Sequence, residues 1–106
     1  MRVLFVCNVG RHRSRTAAEV FANDFDTDYA GLYSSIKPVT AQAIAWADVV
    51  CVMDSEMQAT ILRKYSREIR AKRLLNLHIP NVYSFEEPAL IEELKRKIKS
   101  TGIVKD

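Results

Sequence analysis

The sequence lacks the features that mark secreted, membrane-bound and repetitive proteins. Only two cysteines, Cys7 and Cys51, occur among its 106 residues. A chain of this length with an ordinary apolar content does not need a disulfide, so both are interpreted as reduced thiols. The apolar run near the start, residues 3–6, is too short for a signal peptide or a membrane span. There is no internal repeat and no low-complexity segment. These absences favour a cytoplasmic protein without a membrane partner.

The charge balance is also nearly even. Sixteen Lys and Arg residues against thirteen Asp and Glu residues give a formal net charge of +3. The basic residues cluster only at Lys95, Arg96, Lys97 and Lys99, where the last turns of a helix are predicted. Such a cluster usually complements the helix dipole and faces water, so no nucleic-acid partner is predicted. With 48% hydrophobic and 27% charged residues, the chain is typical of soluble globular proteins, and its length predicts one domain over residues 1–106.

Short apolar runs alternate with helical patterns along the chain. Four strands are predicted, at residues 3–6, 29–34, 48–53 and 73–77. Four helices are predicted, beginning at Ser14, Thr40, Asp54 or Ser55, and Pro88. The third helix extends toward Ile69, and fraying is expected after Ser100. Strands that alternate with helices favour a parallel sheet with right-handed crossovers. The predicted fold class is therefore α/β: a single three-layer domain, with a four-stranded parallel sheet and helices on both faces.

The first predicted strand ends in the segment CNVGRHRS, residues 7–14, just before the first helix. Ligands of open α/β sheets bind at the carboxyl ends of strands, and successive backbone N–H groups that lead into a helix bind anions. Gly10 lets such a loop turn, and the planar guanidinium of Arg13 is suited to two phosphate oxygens. Helix N-termini and nearby cations favour a thiolate. Cys7 is therefore predicted to be a nucleophile, with the Ser14 hydroxyl donating to its sulfur.

The loop backbone completes this predicted phosphate cradle, which consists of Asn8, Val9, Gly10, Arg11, His12 and Arg13. His12 has three interpretations: it tunes the thiolate, it contacts substrate, or it simply fills its place in the loop, which is the commonest case. Arg11 and Arg15 are expected to be solvated, although Arg11 also adds to the positive field at the mouth of the site. Neither C-x-x-C nor paired histidines occur, so no metal or other cofactor is predicted.

These residues resemble the C-x5-R-S phosphate loop that follows the first strand of the low-molecular-weight protein tyrosine phosphatases. The likeness extends to AGL at residues 30–32, to WADVVCVMD at residues 46–54 and to the Glu87-Pro88 pair, and it looks closest to a compact subgroup of predicted phosphatases. The resemblance implies that Cys7 forms a phosphocysteine, that Arg13 binds the equatorial oxygens, and that an acid protonates the leaving oxygen. Glu87 stands where that family has an aspartate acid, and Glu86 is the fallback.

The sequence departs from the family pattern at several positions. Gly10 replaces the usual asparagine, and His12 replaces a frequent second cysteine, so an intraloop disulfide is impossible. Ala89 stands where a tyrosine often walls the substrate ring. The candidates to take its place are Tyr33, Tyr83 and Phe85. Glu86 and Glu87 also have a purely structural interpretation, in which they favour the N-terminus of the last helix electrostatically.

The predicted function is a cysteine-dependent phosphomonoesterase. A phosphorylated protein, with phosphotyrosine leading, or a small phosphomonoester is the expected substrate. One alternative is a domain that binds phosphate or phosphoproteins, or a phosphocarrier, with little hydrolysis, because glutamate replaces aspartate at residue 87. A lower-ranked alternative is arsenate reduction, for which Cys51 is the only other thiol. The sequence makes no prediction about the oligomeric state.

Overall fold

Four parallel strands form the central sheet of the computed structural model, which describes residues 1–103. The strands are β1 (Arg2–Cys7), β2 (Asp26–Gly31), β3 (Val49–Val52) and β4 (Arg73–Asn76), in the order β2-β1-β3-β4. In the register of the sheet, Val3 lies opposite Thr27 of β2 and Val49 of β3. The strand order therefore reverses at β1, and the crevice at such a reversal is where open α/β sheets bind their ligands.

Within residues 1–103, five helices cover the sheet: α1 (Arg13–Val20), α2 (Ala41–Trp46), α3 (Ser55–Lys64), α4 (Ser66–Ile69) and α5 (Pro88–Thr101). The helix α1 packs against α5, whereas α2 and α3 pack against α4. The connections through α1 and α2 run in opposite directions along the sheet, so right-handed crossovers place these two helices on opposite faces. The predicted three-layer α/β class is confirmed. Within residues 1–103, no helix has the length and apolar character needed to cross a membrane.

The two inner strands, β1 and β3, contribute buried residues to the hydrophobic core. Residues 3–7 of β1 and 49–52 of β3 are all buried, as expected for strands covered by helices on both faces. Three apolar side chains of α5, namely Leu90, Leu94 and Ile98, are buried at helical spacing. Full burial of each stabilises the fold by about 1.5–3 kcal/mol relative to exposure. This packing fixes the end of β1, from which the C-x5-R loop departs.

Two predicted elements are placed differently. The second strand lies at Asp26–Gly31 rather than at residues 29–34, because it is an edge strand whose polar DTD sequence gives no apolar run. The third helix divides at Tyr65, whose φ of −124° and ψ of 36° interrupt it before Ser66. The Tyr65 hydroxyl donates to the carbonyl of Val39 at 3.1 Å, which ties this break to the loop before α2.

The ends of the helices show which capping predictions hold. Asp54 caps α3, since its Oδ1 accepts from the N–H of Met57 at 2.8 Å. Ser14 is not the cap of α1: the cap position is His12, and Ser14 lies within the helix. Helix α5 continues to Thr101 and ends at Gly102, whose left-handed φ of 79° is typical of a helix C-terminus. The end of the predicted frayed tail, residues 104–106, lies outside the described residues.

Candidate active site

The C-x5-R loop leaves β1 at the carboxyl edge of the sheet and is held there by the segment after β2. Cys7 lies opposite Gly31 in the parallel register. The N–H of Leu32 donates to the carbonyl of Cys7 at 2.9 Å, and the N–H of Tyr33 donates to the carbonyl of Asn8 at 2.7 Å. These two bonds attach the start of the loop to the segment after β2.

The sulfur of Cys7 lies at the centre of the loop. The N–H of Gly10 donates to Sγ at 3.2 Å, and the Ser14 Oγ lies 3.1 Å from the same atom. Gly10 has a φ of 69°, a left-handed conformation that glycine adopts without steric cost. That conformation aims the Gly10 N–H inward. Ser14 therefore serves the sulfur rather than capping the helix, and the loop is organised around a buried, hydrogen-bonded thiol.

Arg13 is the largest fully buried side chain of the molecule, at 2% exposure. Its Nη1 donates to the carbonyl of Ile79 at 2.7 Å. Burial lowers the pKa of the Arg13 guanidinium, whereas the nearby charges of Cys7 and Asp54 act in the opposite direction. An arginine keeps its proton under such conditions. One nitrogen is thus fixed to the backbone, and the planar fork is oriented beside the cysteine.

The carbonyl that holds Arg13 belongs to a tight turn after β4. His78 adopts a φ of 52°, which is uncommon for a residue other than glycine. Its N–H donates to Oδ1 of Asn76 at 2.9 Å, and the N–H of Ile79 donates to the carbonyl of Met53 at 2.8 Å. These bonds fix the turn to β3 and β4. The orientation of Arg13 therefore depends on a backbone turn 66 residues away in sequence.

A pocket of about 270 Å³ opens over Cys7 and Arg13. Its lining residues are Cys7, Asn8, Val9, His12, Arg13, Asn81 and Tyr83. Cys7 and Arg13 are the buried members of this lining, whereas Val9 and Tyr83 contribute apolar surface. A concave site with a few convergent polar groups is the usual form of a small-ligand site.

The loop that carries Glu86 and Glu87 is fixed to helix α1. The Glu86 N–H donates to Oγ1 of the buried Thr16 at 2.9 Å, and the Arg15 guanidinium lies 4.5 Å from the centre of the Phe85 ring. Glu87 occupies the cap position of α5, and its Oε1 accepts from the N–H of Ser84 at 3.2 Å. The loop that carries Glu86 and Glu87 is therefore attached to α1 one helical turn after Arg13. The Glu87 carboxylate is hydrogen-bonded to the backbone of that same loop.

The predicted site residues separate into three groups. Cys7, Asn8, Val9, His12 and Arg13 line the pocket, and Ser14 lies behind the sulfur. Gly10 and Arg11 line a neighbouring groove. Glu86 and Glu87 do not line the pocket, and their role as acids stays a prediction. Of the aromatic candidates, Tyr83 lines the pocket, whereas Tyr33 and Phe85 line the groove.

Sequence reasoning missed three contributors to the site. Asn81 lines the pocket, the Ile79 carbonyl holds Arg13, and the Asp54 charge acts on Arg13. Only Asp54 had a usable signal, because it follows β3 directly at the same edge of the sheet as Cys7. Among residues 1–103, no group of three or more His, Cys, Asp or Glu side chains is arranged to hold a metal ion.

Comparison with known proteins relates this geometry to solved structures. No protein-family model matches the sequence, and no curated protein sequence matches it. A YwlE arginine phosphatase mutant with a phosphorylated active-site serine matches with a TM-score of 0.75 at 16% identity, over 95% of this chain and 93% of that one. The tyrosine phosphatase Wzb from Escherichia coli K30, in complex with sulphate, matches with a TM-score of 0.75 at 13% identity, over 94% of each chain.

A third solved structure agrees with these two. The tyrosine phosphatase AmsI from Erwinia amylovora matches with a TM-score of 0.72 at 18% identity, over 99% of this chain and 93% of that one. The resemblance inferred from the sequence is therefore confirmed for the fold, since the chain has the architecture of the low-molecular-weight protein tyrosine phosphatases.

Proposed function

We propose that this chain, which has the fold of the low-molecular-weight protein tyrosine phosphatases, is a cysteine-dependent phosphomonoesterase. One observation carries the proposal: the Cys7 sulfur receives the Gly10 N–H, lies beside the Ser14 hydroxyl, and shares one pocket with the buried guanidinium of Arg13. A nucleophile, a backbone N–H donor and a fixed cation at one point are groups that phosphoryl transfer to a thiol requires.

In the first step, the Cys7 thiolate attacks phosphorus. The S–P bond forms as the bond from phosphorus to the leaving oxygen breaks, and an acid gives that oxygen a proton. The loop N–H groups and Arg13 bind the equatorial oxygens, where charge is spread in the transition state. In the second step, water attacks the phosphocysteine, the former acid takes the proton of that water, and inorganic phosphate leaves. The Ser14 hydroxyl donates to the sulfur as it regains its negative charge.

Glu87 is the leading candidate for the acid. Its backbone is held at the start of α5, directly after Glu86, whose N–H is bonded to Thr16. To act on a leaving group its side chain must exchange the Ser84 N–H for the substrate oxygen. Glu86, which is exposed, is the fallback. His12 lines the pocket and is the third group to test, since an imidazole is a common general acid.

Phosphotyrosine in a protein is the leading substrate. The ring of Tyr83 borders the pocket beside Val9, which suits an aromatic leaving group, and a phenolate leaves with little demand on the acid. Phosphoarginine is the second candidate, because proteins described as arginine phosphatases share the fold; it is a phosphoramidate, so the bond that breaks is P–N and the acid protonates a leaving nitrogen instead of an oxygen. Both substrates are phosphorylated side chains, and we place the reaction in the cytoplasm, where such proteins occur.

The decisive experiment is turnover of an aryl phosphate near pH 6. Wild-type protein should hydrolyse it, Cys7→Ser should have no turnover, and Arg13→Ala should lose about 10²–10³ in kcat, as expected for removal of a transition-state donor. Loss of the true acid should lower kcat by about 10²–10⁴. Glu86→Ala, Glu87→Ala and His12→Ala identify it, with the exposed Glu92→Ala on α5 as a matched control. Full turnover by Cys7→Ser would refute the proposal.

The two alternatives predict different results. A phosphate-binding domain or phosphocarrier is suggested by the Glu87 carboxylate, which is bonded to Ser84 outside the pocket. It predicts vanadate binding with no turnover and no effect of Glu87→Ala. Arsenate reduction has weaker support, because Cys51 is buried in β3 and burial raises its pKa to about 12. Arsenate-dependent oxidation of an added thioredoxin or glutaredoxin system would favour it.

A further inference from the structure

A second depression lies beside the Cys7 pocket. It has a volume of about 530 Å³, within the usual range for ligand sites. The two depressions share Val9 and His12, so these loop residues form a ridge between them. The groove continues along α1 and the segment after β2. A ligand in the Cys7 pocket therefore reaches the groove by passing over two side chains.

The charged side chains that line this groove are all basic: Arg11, Arg15 and Lys37. No aspartate or glutamate of residues 1–103 lines it. Arg15 lies 3.7 Å from Glu19 and Lys37 lies 3.1 Å from Asp28, but all four side chains are about 40–50% exposed. Exposed pairs of this kind contribute little to stability and exchange readily with other anions. The groove is therefore a positive surface whose cations are available.

The cations are also positioned by aromatic rings. The Arg15 guanidinium lies 4.5 Å from the centre of the Phe85 ring, and the Lys37 Nζ lies 5.6 Å from that of Tyr29. Cation–π contacts of this kind restrict the side chains without neutralising them. Arg11 forms no ion pair with any described residue. Arg11, Arg15 and Lys37 thus each contribute a positive charge to the lining of the groove.

The rim of the groove is apolar and exposed. Ile36 is 91% exposed and Tyr33 is 68% exposed, and both border the groove. Exposed apolar residues next to a functional site are typical of surfaces that contact another protein. A small phosphate ester filling the Cys7 pocket makes no use of this rim, whereas a polypeptide that continues out of the pocket covers it.

We propose that this groove binds an acidic segment of a phosphorylated protein, next to the phosphorylated residue held over Cys7. The inference rests on the proposed function and adds a substrate preference to it: Asp or Glu residues flanking the phosphorylated side chain. Complementary charge is the argument for that occupant, because three arginine and lysine side chains line the groove and the carboxylates that balance them are outside it.

The test compares two phosphotyrosine peptides that differ only in flanking residues, three aspartates against three alanines. Binding is measured on the Cys7→Ser protein, so that it does not depend on turnover, and kcat/KM is measured on wild type. Each exposed ion pair corresponds to roughly a 1.4- to 5-fold preference. We expect the acidic peptide to bind about tenfold more tightly at low ionic strength, with most of the preference lost in 0.5 M salt.

Charge reversal at the groove gives the sharpest outcome. Lys37→Glu should weaken the preference for the acidic peptide several-fold without inverting it, because Arg11 and Arg15 remain in the groove, and turnover of a simple aryl phosphate should be unchanged. Arg63→Glu on α3, in the other helical layer, is the matched control and should keep the wild-type preference. Equal losses in the two variants would mean a general effect of net charge and would overturn the proposal.

Two further outcomes also contradict the proposal. Equal affinity for the acidic and the alanine peptides at low salt shows that the groove does not recognise the charge of the residues that flank the phosphotyrosine. The protein could instead prefer inorganic triphosphate to phosphate and show no preference between the peptides. If Lys37→Glu removes that preference for triphosphate, the groove binds a small anion and not a peptide. Absence of turnover by wild type refutes the phosphatase instead, while the Cys7→Ser binding measurement still tests the groove.

Discussion

Replacing Gly31 by alanine should displace the phosphate loop without altering any residue of the loop. Gly31 ends β2 opposite Cys7, and the loop passes directly over its Cα. A Cβ built there meets the carbonyl carbon of Val9 at 2.3 Å and the nitrogen of Gly10 at 2.5 Å. Both are backbone atoms. No side-chain rotation relieves the clash, so one of the two chain segments must move.

The size of the movement follows from these distances. Ordinary contact begins near 3.4 Å, so the loop must retreat from Gly31 by about 1 Å. Gly31 itself is held in place, because its N–H donates to Lys37 and its carbonyl accepts from Val39. Overpacking of this kind costs about 1–3 kcal/mol, and a 1 Å misplacement of reacting groups costs about 10²-fold in rate. We expect Gly31→Ala to lose that factor in kcat/KM on an aryl phosphate.

The measurements are the melting temperature, vanadate affinity and kcat/KM at a temperature where the variant is folded. The melting temperature should fall by roughly 4–15 °C, since 1 kcal/mol shifts a domain of about this size by roughly 4 °C or more. Gly102→Ala is the matched control. Its left-handed φ of 79° makes it destabilising by about 1–2 kcal/mol, but no atom lies within 4 Å of its added Cβ. It should lose stability and keep full activity. Wild-type activity in Gly31→Ala would refute the reasoning.

Three other predictions concern separate features. Thr16→Val removes the acceptor of the Glu86 N–H and should lower the free energy of unfolding by about 1 kcal/mol. It should also lower kcat and leave vanadate affinity unchanged; a loss of vanadate affinity would contradict this. Burial raises the pKa of Cys51 to about 12, so iodoacetamide at pH 8 should leave it unmodified in native protein, as mass spectrometry can verify; labelling before unfolding would count against this. The backbone N–H of Arg2 donates to the Asp48 carboxylate and lowers its pKa. This hydrogen bond therefore stabilises the fold above the ordinary carboxyl pKa of about 3.9, and the stabilisation is lost as pH falls through the lower pKa of the folded state. Asp48→Asn should flatten the decrease of the melting temperature below about pH 4, and an unchanged acid profile would show that this contact does not contribute.

The phosphate loop could be predicted because its chemistry is local. A cysteine, a glycine, an arginine and a serine at fixed spacing between a strand and a helix leave few arrangements open, and the structure places Ser14 beside the sulfur of Cys7. The predicted α/β class followed from apolar periodicity in the same way. The edge strand β2 was misplaced because its polar residues carry no such signal.

The parts of the site that could not be predicted depend on contacts between distant segments. Every residue has a backbone carbonyl, so the amino-acid sequence does not identify that of Ile79 as the acceptor for Arg13. Glu87 was found only by its position before Pro88, and that position does not determine where its carboxylate points. In the structure it accepts a hydrogen bond from Ser84. Side-chain direction in a loop is decided by such competing partners.

The two long-range bonds of the site have a consequence for synthesis of the protein. Arg13 to Ile79 and Thr16 to Glu86 join residues 66 and 70 positions apart, and contacts of such large separation form late because closing the intervening chain costs entropy. A ribosome-bound chain that ends before residue 79 therefore carries a cysteine and an arginine but no assembled anion site. Affinity for phosphate should first appear when the last quarter of the molecule has folded onto the first.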